Sequence, residues 1–210
     1  MQILVYGDSL TWGIIPNTRN RLPFAARWPG VMEAELLGAG HSVRVVEDCL
    51  NGRRTVWDDP FKPGRNGFVG LEQRIEVNSP LALVILMLGT NDFQPTHDTN
   101  AFRSAQGITA LVQAIRRAPI EPGMPCPPIM IVSPPPPAVA TGSMKQKFAG
   151  ADKRSAGVGE AYQRVATELN CHFFDAVLVA RVSSVDGVHL DADQHLILGR
   201  EIARAVREVL

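Results

Sequence analysis

A chain of 210 residues suits one domain and is long enough to bury a sizeable core. Twenty-one basic residues balance twenty-one acidic ones, so no positive surplus points to nucleic acid or to an anionic membrane surface. Hydrophobic content of 45% and charged content of 20% are ordinary for a soluble globular protein, and the longest apolar run, Leu81 to Leu88, is far too short to span a bilayer.

The first predicted element is the β-branched run Ile3-Leu4-Val5-Tyr6, which stops at Gly7 and is followed at once by Asp8-Ser9. Such a run reads as a buried strand, with the glycine marking a sharp turn. Ile14 to Ala26 mixes Pro, Asn and Arg as a surface excursion, and a helix begins near Trp28-Pro29, where proline is tolerated. It carries Val31, Met32, Ala34 and Leu36 and stops around Gly38 to Gly40. Ser42 to Val46 alternates as a second strand. A polar segment with a turn at Asn51-Gly52 follows, and Phe68, Leu71 and Ile75 then mark a short amphipathic helix.

Leu81 to Leu88 reads as a fully buried central strand, ended by Gly89-Thr90-Asn91-Asp92. A helix over Ala101 to Arg117 carries the stripe Ile108, Leu111, Val112 and Ile115. Ile129 to Val132 is a fourth strand, and Pro134 to Pro137 must leave the sheet. Thr141 to Gly159 is expected to be a mobile flap before a helix that runs to about Asn170. His172 to Phe174 is a fifth, edge strand, and a last helix starts at Ala192, with Asp191 and Gln194 as its capping box. Five strands alternating with helices argue for an α/β, three-layer flavodoxin-like fold with a parallel sheet in the order 2-1-3-4-5. With no repeat and no linker, residues 1–210 are expected to form one domain.

Cys49, Cys126 and Cys171 are an odd count without CxxC spacing, so they read as buried or semi-buried free thiols rather than disulfides or a zinc site. The pairs Arg53-Arg54 and Arg116-Arg117 read as solvated surface. The N-terminus enters its strand without a charged n-region and apolar h-region, which leads us to expect a cytoplasmic protein. No histidine pair has zinc-ligand support, and neither a metal nor a cofactor is expected.

Loops leaving the carboxyl ends of strands form the ligand crevice in open α/β sheets. Ser9 lies on such a loop, and its hydroxyl is a weak nucleophile that needs a base. Asp186-Gly187-Val188-His189 lies between strand five and the last helix. Its three-residue spacing lets the Asp186 carboxylate fix the His189 tautomer while the other ring nitrogen faces Ser9 as general base and later general acid. The Ser9 N–H, the Gly52 N–H and the Asn91 amide could hold the oxyanion of a tetrahedral intermediate. Leu10, Trp12 and Val188 flank these groups and are expected to line the substrate pocket, with Phe93 and the 134–148 stretch narrowing its entrance. Asp8 is expected to buttress the turn, and Asp92 to bond neighbouring backbone N–H groups.

These residues resemble the SGNH, or GDSL, hydrolases over nearly the whole chain. Gly7-Asp8-Ser9-Leu10 is similar to block I, Gly52 to block II, Gly89-Thr90-Asn91-Asp92 to block III, and Asp186 with His189 to the terminal DxxH. The wider strings Gly7 to Gly13, Arg27-Trp28, Met87 to Asp92 and Val132 to Pro136 look like the bacterial arylesterase/acyltransferase branch. Block II departs from that branch: it reads Leu50-Asn51-Gly52-Arg53-Arg54-Thr55 where Leu-Ser-Ala-Arg-Thr-Thr is usual, a change that keeps the oxyanion N–H. The resemblance implies a serine ester hydrolase acting on short-chain acyl esters through an acyl-enzyme, with acyl transfer to alcohols or peroxide as a further capacity. Branch members often self-associate, so a homo-oligomer is a further expectation. The competing readings are a carbohydrate acetylesterase and a non-catalytic small-ligand binding module, the latter disfavoured by the lack of a Gly-rich phosphate loop.

Overall fold

A computed structural model describes residues 1–210. Five parallel strands run in the order β2-β1-β3-β4-β5: β1 (Gln2–Gly7), β2 (Arg44–Cys49), β3 (Leu83–Met87), β4 (Ile129–Ser133) and β5 (His172–Asp175). Parallel strands need crossover connections that cover both sheet faces, which is why β3 can be apolar along its whole length and buried throughout. The helices are α1 (Ser9–Trp12), α2 (Trp28–Gly38), α3 (Leu71–Asn78), α4 (Ala101–Arg117), α5 (Ala151–Arg154), α6 (Val158–Glu168) and α7 (Ala192–Arg207).

Alternation along the strands divides the interior into two cores. Ile3 and Val5 of β1, with Leu83, Ile85 and Met87 of β3, pack under Trp28, Met32 and Leu36 of α2 and Leu198, Ile202 and Val206 of α7. Leu4 and Tyr6, with Val84 and Leu86, face Leu71 and Ile75 of α3, Ile108, Leu111 and Ile115 of α4, and Tyr162 and Val165 of α6. Gly199 lets α7 close on α2, since a Cβ there would lie 2.6 Å from Val31 Cβ and 2.7 Å from the Trp28 carbonyl. Gly7 pairs with both Cys49 and Met87, so β1, β2 and β3 end at one level and deliver their following loops to the same rim.

Several expected boundaries shift for local reasons. The second strand runs past Val46 to Cys49, because Glu47 and Asp48 meet cations instead of solvent. Glu47 bridges Arg21 and Arg27, and Asp48 bridges Arg53 and Arg74. The Phe68–Ile75 helix begins only at Leu71, since Gly70 takes a left-handed conformation (φ 78°) and the Phe68 N–H is held by the Asn66 side chain. The capping box is not formed. Asp191 occupies the N-cap without a side-chain bond, while Gln194 accepts the Arg181 N–H and donates to Asp193.

Residues 141–159, expected as a mobile flap, are folded onto the body. Phe148 and Ala151 are buried in the core, and the Arg154 guanidinium donates to the Phe93 carbonyl. Arg53 and Arg54 are buried rather than solvated, Cys126 is exposed rather than semi-buried, and all three cysteines are free. No helix is long and apolar enough to cross a membrane.

Candidate active site

Three loops meet at the carboxyl ends of β1, β2 and β3. The first is the turn into α1. Asp8 caps that helix by accepting the Leu10 N–H at 2.9 Å, and Gly13, left-handed at φ 81°, ends it. Ser9 is therefore the first residue of a short, double-capped helix, with 6% of its surface exposed. Such a support fixes the Ser9 backbone through bonds made by its neighbours.

The second loop follows β2. The Leu50 N–H donates to the Gly7 carbonyl and the Arg53 N–H to the Leu50 carbonyl, so the chain turns tightly around Gly52, at φ 86°. The Gly52 N–H donates to no group of the protein. Arg53 explains why this loop stays against β1. Its guanidinium donates to the Gly7 and Asp48 carbonyls, pairs with Asp48 at 2.7 Å and lies 4.0 Å from the centre of the Tyr6 ring. A charge buried this way is offset by three acceptors and a π face.

The third loop follows β3. Gly89 takes φ 125°, and a Cβ there would lie 2.1 Å from Tyr162 Oη. Asn91 is buried and its amide is held on both sides. Nδ2 donates to Asp8 Oδ2 at 3.0 Å and to the Arg53 carbonyl at 3.2 Å, while Oδ1 accepts from Gln94 Nε2 at 2.7 Å. The orientation of the amide is thereby fixed, and a substrate oxygen meeting Nδ2 would share it with these acceptors.

Asp92 clamps the second and third loops together. It accepts the Thr55 N–H (2.9 Å), the Thr55 hydroxyl (2.7 Å) and the Ser104 hydroxyl (2.7 Å). Burial pushes its carboxyl upward, against the bonds from Ser104 and Thr55 and the Arg54 charge. Burial likewise raises Asp8 to about 6, opposed by the Leu10 N–H, His189 and Asn91.

The last contribution comes from the turn before α7. His189 Nδ1 lies 2.6 Å from Asp186 Oδ2, and Asp186 Oδ1 accepts the N–H groups of Val188 and His189, each at 2.9 Å. The Asn17 N–H adds a further bond to Oδ2 at 3.2 Å. Burial would raise the Asp186 carboxyl. The bonds and charge of His189 and the Val188 N–H outweigh burial and hold it well below the usual carboxylate range. An ionised, wholly buried partner at Nδ1 leaves Nε2 as the ring's free nitrogen.

Ser9, Gly52, Asn91 and His189 line one cleft, together with Asn51, Ile14, Met144, Phe148, Arg19, Lys62 and Lys147. No hydrogen bond joins Ser9 to His189 in this state, although both face the same space. The expected substrate-binding residues do not share it. Leu10 and Val188 are buried in the two cores, and Trp12 is covered on one face by the Arg21 guanidinium, 4.6 Å from its ring centre. Phe93 is also core, whereas Met144, Lys147 and Phe148 of the 134–148 stretch line the cleft, joined by Ile14. Adjacent residues on a helix or turn point away from one another, which is why Leu10 and Val188 turn inward beside Ser9 and His189. No group of three or more His, Cys, Asp or Glu side chains converges to hold a metal ion.

The family model described as the GDSL-like lipase/acylhydrolase family matches residues 5–197. Among solved structures, an inhibitor-bound aryl esterase of M. smegmatis aligns at 32% identity with a TM-score of 0.94, covering 100% of this chain and 99% of that one. A carbohydrate acetylesterase family member from Sinorhizobium meliloti aligns at 39% identity and TM-score 0.93, covering 100% and 98%. A candidate arylesterase from Agrobacterium tumefaciens aligns at 42% identity and TM-score 0.90, covering 100% and 99%. No curated protein matches the chain.

Proposed function

Since the chain belongs to the GDSL-like lipase/acylhydrolase family, whose chemistry is carboxylic ester hydrolysis, we propose that it works through a Ser9–His189–Asp186 triad and an acyl-enzyme on Ser9. His189 Nε2 takes the Ser9 proton as Oγ bonds to the ester carbonyl carbon. The carbonyl oxygen becomes an oxyanion facing the Gly52 N–H, the Asn91 amide and the Ser9 N–H. The carbon–oxygen bond to the alcohol then breaks, and the alcohol leaves with the His189 proton. Water deprotonated by His189 then attacks the acyl carbon, the acyl–Oγ bond breaks as His189 returns the proton to Ser9, and the carboxylic acid leaves. Asp186 keeps Nδ1 protonated and balances the imidazolium, for which its low proton affinity suits it.

One observation carries this reading: four groups distant in sequence, Ser9, Gly52, Asn91 and His189, line a single cleft, and the carboxylate of Asp186 is bonded behind the imidazole. Ile14, Met144 and Phe148 offer a small apolar seat, which suits a short acyl chain. An acetyl ester of an aryl alcohol is the substrate we infer, in keeping with likeness to the aryl esterases; an acetylated carbohydrate is the alternative, supported by likeness to the Sinorhizobium acetylesterase. An alcohol or peroxide replacing water in the second step would give acyl transfer, read out as product partition when alcohol is added. Turnover of p-nitrophenyl acetate by wild type and its loss in Ser9→Ala, with the circular dichroism spectrum unchanged, tests the nucleophile; substantial turnover by the pure variant would refute it.

A further inference from the structure

The cleft has a second feature that ester chemistry does not call for. Its walls carry three cations from three separate segments: Arg19 from the loop after α1, Lys62 from the loop after β2, and Lys147 from the segment before α5. None of them forms an ion pair. Five other arginines around this rim do: Arg21 and Arg27 meet Glu47, Arg53 and Arg74 meet Asp48, and Arg54 lies 3.7 Å from Asp59. Arg65, whose Cγ lies beside Gly52, donates only to the Asn51 and Pro63 carbonyls.

Three like charges gathered without counter-ions repel one another. The lysines register this: burial lowers the proton affinity of Lys147, followed by the charges of Lys62, Arg19 and Arg54. Burial and the charges of Arg65 and Arg19 lower that of Lys62. Asp59 is the one carboxylate that offsets either lysine, and it is already engaged by Arg54 and the Phe61 N–H. The whole chain has formal net charge +0, so this field is local rather than a consequence of a basic protein. Arg19 and Lys147 are exposed and Lys62 is half-buried, and a concave wall of one sign concentrates ligands of the opposite sign.

We propose that the cleft selects esters carrying an anionic group, such as a carboxylate, sulfate or phosphate, which Arg19, Lys62 and Lys147 receive while the ester carbonyl lies at Ser9. The inference rests on the hydrolase reading of the same cleft. It concerns the part of the substrate away from the reacting carbonyl, where binding energy discriminates between substrates.

Two matched pairs test it and separate the two positions the anion can occupy. With the charge on the alcohol side, 4-acetoxybenzoate is compared with its neutral methyl ester. With the charge on the acyl side, 4-nitrophenyl hemisuccinate is compared with 4-nitrophenyl methyl succinate. In wild type at low salt, the charged member of at least one pair is expected to show a kcat/KM about tenfold or more above its neutral partner. That ratio is expected to shrink as sodium chloride rises, because the rim is open to screening. It is also expected to fall about tenfold in the triple variant Arg19→Gln, Lys62→Gln, Lys147→Gln. The salt series uses wild type alone and stands even if the variant folds poorly. Turnover of all four esters with no preference for charge, or a preference indifferent to salt, overturns the proposal and leaves the hydrolase reading intact. Failure to cleave any of the four while p-nitrophenyl acetate is still turned over overturns the proposal alone, and failure on that ester as well overturns both.

Discussion

Asp92→Ala tests how the two loops that carry Gly52 and Asn91 are held together. In the native protein the Asp92 carboxylate is wholly buried and accepts three hydrogen bonds, two of them from Thr55, 37 positions earlier in the chain. Alanine leaves the buried Thr55 N–H without an acceptor, at a cost of about 1–3 kcal/mol. Each hydroxyl bond lost adds about 0.5–1.5 kcal/mol, although Ser104 retains its 2.7 Å bond with Tyr162. Against this stands relief from burying a charge, shown by the raised proton affinity of Asp92. The net loss is expected to be about 3 kcal/mol, which for a chain of this size lowers Tm by about 6–12 °C. Asp92→Asn keeps an acceptor for the Thr55 N–H and is expected to lose only about 1–2 kcal/mol. Urea titrations of the two variants and wild type, followed by circular dichroism, measure both losses. An alanine variant within about 1 kcal/mol of wild type, or an asparagine variant as damaged as alanine, would show that the clamp does not hold these loops.

The remaining expectations concern the site and its frame. Asp186→Asn keeps the volume but removes the charge behind His189, so kcat is expected to fall by about 10⁴-fold with little change in KM, measured on p-nitrophenyl acetate. Gly89→Ala combines φ 125° with a Cβ 2.1 Å from Tyr162 Oη, and urea titration is expected to show a loss of at least about 2 kcal/mol. For Asp8, folding raises the carboxyl from 3.8 to about 6, so the stability its proton contributes is fully present below pH 3.8 and is lost as pH rises through about 6. The loss amounts to about 3 kcal/mol, and Asp8→Asn should abolish that share of the decline in unfolding free energy between pH 4 and 7.

The sheet was readable from the chain because its signals are local and strong. Continuous apolar runs such as Leu83 to Met87 require burial on both faces, and the alternation of strand and helix then leaves few topologies. The groups proposed to be catalytic could be singled out in the same way, since Asp186 and His189 stand three residues apart and Ser9, Gly52 and Asn91 each follow a strand end. What the chain did not disclose depends on partners distant in sequence. Arg53 and Arg54 look like solvated charges until Tyr6, Asp48, Gln94 and Asp59 surround them. The bonds from Asn91 to Asp8 and Arg53 join three separate loops. The cleft walls follow the same rule. Met144, Lys147 and Phe148 line the Ser9 cleft because residues 141–159 fold onto the body, whereas Leu10 and Val188, next in sequence to Ser9 and His189, turn into the cores.

Reaction with a fluorophosphonate that modifies activated serines probes the central claim most directly. The account predicts a single adduct by intact mass, mapped by peptide sequencing to Ser9, which is absent in Ser9→Ala and strongly slowed in His189→Ala. Ester turnover persisting in protein that takes up no label, or an adduct on a different serine, would contradict it.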